Sequence, residues 1–566
     1  MEDCLSHYRT PSRREVIAGA GASALALTTG PGFAPRSLMA SGTVFEARSG
    51  GGQRRPGDRG LADVLVSNGR DVVKTDAEGR WWLPVTPGDS VFVIKPSNWS
   101  TPLNPHGLTR FSHLHQPLGS PLSHRHPGVA STGPLPASID FALTRQPENS
   151  CFEVALLSDT QPENEAELAY LRDDIIVGLI GSDVAFGINH GDVVADDLSL
   201  YPRYLDLLRT TGVRWHHCPG NHDLNWDAAG DHHARETWKR FFGPRHYAFQ
   251  HGQATFILLD NVHYAGRRAD AGNGSYSGRI GDAQLQFVRN LLMHVPREHL
   301  IVVSMHIPLV SQHGDANPAD STADRRALLE LLSGRPHTLS LSGHMHTTEH
   351  HYLGAEAGFS GPTPHHHHVL TAASGSWWCG PRDRRGIPCA DSVDGTPNGL
   401  HILSVDGHHY TTRFVPAAGK SSGQLRVMIC RPHRGAEPSV SQSGTAISSP
   451  IPIDQIECCQ IVANVFDGGP KTTVSCEIKG TNARVLPMQR VAARDPFVDQ
   501  LLARHDAVRK PWVEPVHSTH LWRARLPGGL PPGAHRLTVE AVDEYGRRHF
   551  AHAVIEVGAR RATNAI

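Results

Sequence analysis

The sequence predicts an α/β fold in the middle of the chain, with a small all-β, sandwich-like domain on either side. Three observations predict it. Apolar strands alternate with amphipathic helices from about residue 150 to 416. The segments before and after are short-stranded and rich in turn residues. The chain, at 566 residues, is too long for one ordinary core.

The first 40 residues stand apart from that fold. In "PSRREVIAGAGASALALTTG", Arg13 and Arg14 precede a small, weakly apolar run from Val16 to Leu27. This is the pattern of a twin-arginine export signal, and it predicts a periplasmic or extracellular protein with cleavage after Ala34 or Ala40. Residues 41–145 form the expected N-terminal β domain. "LADVLVSNGRDVVKTDAEGRWWLPVTPGDSVFVIKP" alternates apolar and polar residues between the turns "NGR", "AEGR" and "TPGD". Residues 100–140, dense in Pro, His and Ser, read as irregular. The α/β domain spans 146–418. Its expected strands are 152–157, 183–189, 213–218, 254–260, 299–305 and 337–342, and its helices 163–179, 198–210, 281–294 and 323–333. The linker "AAGKSSG" (417–423) leads to a C-terminal β domain over 424–566, where "DEYG" marks a hairpin turn.

Composition excludes several functions. A net charge of −1 gives no bulk basic field for nucleic acid. No run of about 18 apolar residues is present, so no spanning helix is expected. Nine cysteines make no CxxC pair, which argues against a thiolate zinc site; Cys379 and Cys389, flanking one loop, are the pair expected to oxidise on export.

Five short motifs carry chemistry: "SDTQ" (Asp159, Gln161), "GDVVADD" (Asp192), "GNHD" (Asn221, His222, Asp223), "SMHIP" (His306) and "SGHMH" (His344, His346). Each follows an expected strand, the edge where α/β sheets bind ligands. Alone each is weak, since a buried His is more often structural and "GD" is a common turn. Together they place carboxylates, an amide oxygen and imidazoles on one edge, a donor set suited to two divalent ions.

With these motifs the chain resembles the calcineurin-like metallophosphoesterases, in the bacterial branch that carries N- and C-terminal β domains. The resemblance implies a four-layer α/β/β/α sandwich. It implies that Asp159, Asp192 and His346 ligate a first metal, that Asp192 bridges to a second, and that Asn221, His306 and His344 complete the second. It implies hydrolysis of a phosphomonoester or phosphodiester by a metal-bridging hydroxide, with His222 as general acid and Asp223 orienting it. Other functions weighed are a non-catalytic envelope protein that keeps a metal site and a Ser/Thr protein phosphatase.

Gln161 stands where His is usual. It either ligates the first metal through its amide oxygen or leaves the place to water. A harder, weaker donor tilts the first site from Zn²⁺ or Fe toward Mn²⁺ or Mg²⁺, and for the two divalent ions Mn²⁺ is the one favoured. After "SGHMH" comes a Gly- and Pro-rich loop with four consecutive histidines (His365–His368), Trp377, Trp378, Arg382, Asp383, Asp394 and Asn398. Trp377, Trp378 and Arg382 either grip the leaving group of a small-molecule or envelope phosphoester, or pack beneath the loop.

Overall fold

Two mixed sheets face each other across the middle of the chain. The first has five strands in the order Trp215–His217, Phe186–Asn189, Cys151–Leu157, Gly399–Asp406 and His409–Pro416. The second has six, in the order Tyr247–His251, Ala254–Leu258, Leu300–Ser304, Thr338–Ser342, His365–Val369 and Glu349–Leu353. The interior pairings that follow strand–helix connections are parallel, and the hairpin partners are antiparallel. This computed structural model describes residues 38–48, 52–267, 274–418, 423–431, 445–447, 450–479 and 485–559.

The strand Cys151–Leu157 shows why the layers form. Val154 and Leu156 point into the core shared with the second sheet, while Ala155 and Leu157 point the other way, into a cluster with Leu168, Leu171 and Leu205. Those leucines belong to the helices Glu165–Asp174 and Tyr201–Arg209, which cover the outer face. Helices Asp282–Leu292 and Arg325–Leu332 cover the second sheet with Phe287, Leu291, Leu328 and Leu332. The result is the four-layer α/β/β/α sandwich. Asn164 caps the first helix, accepting from the backbone N–H groups of Ala166 (3.0 Å) and Glu167 (3.1 Å).

The N-terminal domain has two four-stranded sheets and the C-terminal domain two five-stranded ones. The expected "DEYG" hairpin forms between Gly533–Val542 and Arg548–Gly558. Three features differ from the sequence reading. The first strand begins at Leu38, so Ala40 is already paired with Leu83; the rest of the expected export segment lies outside the described residues. The C-terminal domain carries a helix, Pro496–Arg504, capped by Asp495. The histidine run is a buried strand rather than loop. The neighbouring strand is "TLSLS", whose hydroxyls face the imidazoles: His365 meets Thr338 Oγ1 and Ser340 Oγ at 2.8 Å each, and His367 meets Ser340 Oγ at 2.8 Å.

Buried polar contacts hold the C-terminal domain on the catalytic one. Asp394 and His520 are both fully buried; His520 Nε2 lies 2.8 Å from Asp394 Oδ2, which also accepts from Thr348 N at 2.8 Å. Asp394 is thus structural and not part of a substrate loop, and Asn398 likewise donates to Asp174 Oδ2. Replacing Asp394 with Ala leaves these donors buried without an acceptor. We expect a loss of about 3–5 kcal/mol, read as a lower denaturation midpoint, whereas Asp406→Ala at an exposed site should stay within about 0.5 kcal/mol.

Candidate metal centre

Three of the five motifs turn sharply as their strands end. Ten described non-glycine residues have positive φ, and eight of them lie in or beside these motifs: Asp159 (50°), Gln161 (33°), Asp192 (51°), Asp196 (64°), His344 (76°), His346 (52°), Trp377 (54°) and Trp378 (53°). Such backbone costs about 1–3 kcal/mol per residue and persists where the surroundings enforce it. Here the neighbouring turns do so: Asp159 N donates to Gly191 O and Gln161 N to Asp192 O, both at 3.1 Å. Glycine is required where the turns touch. A Cβ on Gly220 would stand 2.1 Å from Asp192 Oδ1, and one on Gly343 2.5 Å from Asp159 Oδ2.

The seven expected metal ligands converge. All but His344, which is half-buried, are at most 3% exposed. Ligand atoms of Asp192, His306 and His344 lie within 4.8 Å of one another. His306 Nδ1 is 2.8 Å from His190 O, to which it can only donate, so in a neutral ring Nε2 carries the lone pair. That Nε2 faces two oxygens, Asn221 Oδ1 at 3.0 Å and Asp192 Oδ2 at 3.2 Å. His346 repeats the pattern: Nδ1 donates to Gly375 O at 2.6 Å and Nε2 faces Asp159 Oδ1 at 3.7 Å. Lone pairs aimed at oxygens call for a cation between them, a metal ion or, on His306, a proton. Asp159 Oδ1 and Gln161 Oε1 are also buried without a hydrogen-bond partner. The residues present therefore fit divalent ions.

The electrostatics agree. Burial lowers the pKa of His344 to about 3 and lowers that of His346, so both rings are neutral and can donate lone pairs. Burial opposes charge on His306 as well, but the Asp192 and Asp159 carboxylates outweigh it and raise that ring to about 9, the mark of a negative potential at this point. Gln161 does two things at once. Its Nε2 donates to Asp192 Oδ2 at 3.1 Å, while Oε1 stays free to face an ion.

His222 stands at the rim, its side chain 16% exposed, open to a substrate that the fully buried imidazoles are not. The residue that orients it is Asp196 and not Asp223: His222 Nδ1 and Asp196 Oδ1 are 2.8 Å apart, and Trp226 Nε1 holds the same oxygen at 2.7 Å. Burial works against a charged His222, but Asp196 and then Asp192 overcome it and raise the ring to about 10. Asp223 is turned inward. Its carboxylate accepts from Gly220 N (2.8 Å), Tyr201 Oη (2.9 Å) and Val193 N (3.2 Å), pinning the "GNHD" turn to the "GDVV" turn. Asp196 sits four residues past Asp192 in "GDVVADD", the one sequence signal that could have found it.

The loop residues divide. Trp377 stacks on His346, with ring centroids 3.9 Å apart, and stands at the site. Trp378 is 2% exposed, donates from Nε1 to Thr160 O at 2.9 Å and packs in the core, so it cannot stack on a substrate. Arg382 is held by Tyr170 Oη (2.8 Å) and Gly386 O (2.6 Å), away from a phosphate-gripping role. Asp383 pairs with Arg385. Cys379 and Cys389 are not joined in a disulfide, against the expected pairing.

Comparison with known proteins gives the family. The description "Calcineurin-like phosphoesterase" matches residues 152–348, flanked by "N terminal of Calcineurin-like phosphoesterase" over 49–122 and "C terminal of Calcineurin-like phosphoesterase" over 367–549. Among solved structures, a purple acid phosphatase from yellow lupin (Lupinus luteus) seeds overlays at TM-score 0.34 and 13% identity, covering 62% of this chain and 67% of its own. The extracellular domain of a hybrid two-component system from B. thetaiotaomicron overlays at TM-score 0.15 and 11% identity, covering 34% and 20%. None of the curated proteins matches. Neither overlay is close, and it is the three matches, in order along the sequence, that make the chain a member of the calcineurin-like phosphoesterases, metal-dependent hydrolases of phosphoric esters.

Proposed function

We propose that this chain hydrolyses a phosphate ester at a binuclear centre, with His222 as general acid, and that it does so outside the cytoplasm. The observation that carries the reading is the pairing of buried, cation-seeking oxygens and lone pairs with a rim imidazole held on its own carboxylate. Asp159, Gln161 and His346 would hold one ion, Asn221, His306 and His344 the other, and Asp192 both. Two such ions supply a nucleophile at neutral pH and charge stabilisation for the transferred phosphoryl group. The chain's own residues do the rest. Asp196 keeps His222 protonated, and His222 would give that proton to the departing alkoxide. Trp377 shields the His346 ligand on one side and narrows the approach. Asp223 fixes the turn that carries Asn221 and His222. Arg13 and Arg14 with their apolar run support export. A purely binding protein needs neither an exposed imidazole beside the ligands nor a carboxylate to charge it.

The deciding test is hydrolysis of a chromogenic monoester and diester by protein stripped and reloaded with Mn²⁺, Zn²⁺ or Mg²⁺. Reloading should restore turnover of at least one ester. His222→Ala should lower kcat by about 10²–10⁴ for an alkyl ester, and by less for a nitrophenyl ester whose leaving group needs no proton. Equal losses on both esters would remove His222 from the acid role.

Asp196 and Asp223 separate by pH profile. The acid works protonated, so activity falls as pH rises through the His222 pKa. Asp196→Asn removes the carboxylate that raises this pKa and should move the alkaline limb to lower pH by about 1–3 units. Asp223→Asn, a smaller contributor to that pKa, should move the limb much less than Asp196→Asn and lower the denaturation midpoint instead.

Gln161→Ala should weaken binding of one of the two ions by about 10–100-fold, measured by competition with a metallochromic chelator. Undiminished affinity for both ions would mean that Oε1 is not a ligand.

A further inference from the structure

Away from the phosphoesterase centre, a second group of imidazoles closes on one carboxylate. His350, His368 and His401 each bring Nε2 to Asp467 Oδ1, at 3.1, 3.1 and 3.2 Å. The three histidine side chains are 0% exposed, and that of Asp467 is 11% exposed. They come from four separate strands or strand ends. His350 lies in Glu349–Leu353 and His368 in His365–Val369, both in the six-stranded sheet; His401 lies in Gly399–Asp406 of the five-stranded sheet. Asp467 follows Gln460–Val465 in the C-terminal domain.

Hydrogen bonding alone accounts poorly for this cluster. One carboxylate oxygen offers about two lone-pair directions, yet three ring nitrogens converge on it. Neither nitrogen of His368 has a hydrogen bond of acceptable geometry, and His401 Nδ1 has no partner either. His350 Nδ1 lies 2.9 Å from His366 Nε2, and His366 Nδ1 lies 3.0 Å from Tyr410 Oη. Run outward, this relay puts the His350 proton on Nδ1 and leaves its Nε2 lone pair facing Asp467, the arrangement of an outer-shell partner that orients a metal-ligating His. Metal bonds of about 2.0–2.1 Å in a tetrahedron set ligand atoms about 3.3 Å apart, and the three nitrogens stand 3.1–3.2 Å from Asp467 Oδ1. Ligand atoms of His350, His368 and Asp467 lie within 4.8 Å of one another, and His401 has to draw nearer to its fellow imidazoles to complete the four. The rings of His350 and His368 are stacked at 4.0 Å, so a shared ion takes a rotation of one of them. A cavity lined by Arg413, Phe414, Asp467, Arg547 and His549 opens on the carboxylate and gives an ion a way in.

We infer that His350, His368, His401 and Asp467 form a second, structural metal site, separate from the phosphoesterase centre, that takes a tetrahedral divalent ion of the zinc type. Three imidazoles and one carboxylate with no open position are the donor set of a structural zinc site rather than of a hard oxygen-seeking ion. Such an ion ties the C-terminal domain to both catalytic sheets at one point. It also gives a purpose to a histidine of the 365–368 run that phosphoester hydrolysis leaves unused.

The test uses the full chain with the phosphoesterase centre emptied by Asp159→Asn and His306→Gln, expressed with zinc and dialysed. Elemental analysis should find about one equivalent of zinc per chain. Adding Asp467→Asn, or separately His368→Gln, should lower its affinity by about tenfold or more. Chelation should lower the denaturation midpoint of the parent and leave that of the Asp467→Asn form unchanged. Because either variant can fold poorly, anomalous diffraction at the zinc edge on crystals of the unaltered protein provides an independent reading, with a peak expected among these four side chains. A folded parent that holds no zinc, zinc retained in full by both added variants, or no anomalous peak at the cluster would each overturn the inference and leave a proton-sharing histidine cluster in its place.

Discussion

The arrangement of this site depends on one carboxylate. Asp192 leaves its strand in a left-handed turn, accepts from His222 N at 2.8 Å and Gln161 Nε2 at 3.1 Å, and has His306 Nε2 facing it at 3.2 Å. Three motifs from three parts of the sequence are fixed to one another through it. The contact works only because nothing fills the space behind it: Gly220 passes so close that any side chain there would strike Asp192. Burial should drive such a carboxylate toward protonation, yet the surrounding imidazoles hold it well below the ordinary range. Held in its charged form, the carboxylate makes the place one for cations.

The strain of the turns has to be met elsewhere. The sandwich does so with apolar layers on both faces of each sheet, and the flanking domains add contacts that reach close to the motifs. Lys510 of the C-terminal domain meets Glu163 at 2.8 Å and Glu167 at 3.0 Å, at the start of the helix that follows Gln161. From the N-terminal side, His126 O accepts from Asn225 Nδ2 at 3.2 Å and Thr237 Oγ1 at 2.9 Å, just beyond the "GNHD" turn. The β domains thus act as a frame around the turns, whatever else they do.

Histidine serves several purposes in this chain of 38. Where a ring nitrogen donates to a carbonyl, as in His306 and His346, its other nitrogen is set for a metal. Where a ring lies among serine and threonine hydroxyls, as in His365 and His367, it is a polar core residue that burial keeps neutral. Composition cannot distinguish these uses, because the partner lies on another strand.

The chain's own pattern gave away the α/β core, six of its strands to within about three residues and the residues expected to hold metal, because polar residues just past an apolar run need no long-range information to be noticed. It also determined the "DEYG" hairpin, whose turn chemistry is local. Only the tertiary structure decided which of two nearby aspartates serves His222, because Asp223, though adjacent, is captured by Tyr201 and the backbone of residues 193 and 220, leaving Asp196 within reach. It alone divided Trp377 from Trp378, neighbours in sequence whose side chains reach His346 and the core respectively. It alone made a strand of "HHHHV", a run with no hydrophobic period, since that strand is specified by the hydroxyls of "TLSLS" beside it. Pattern and turn chemistry are properties of the chain, whereas the partner of a polar group is a property of the fold.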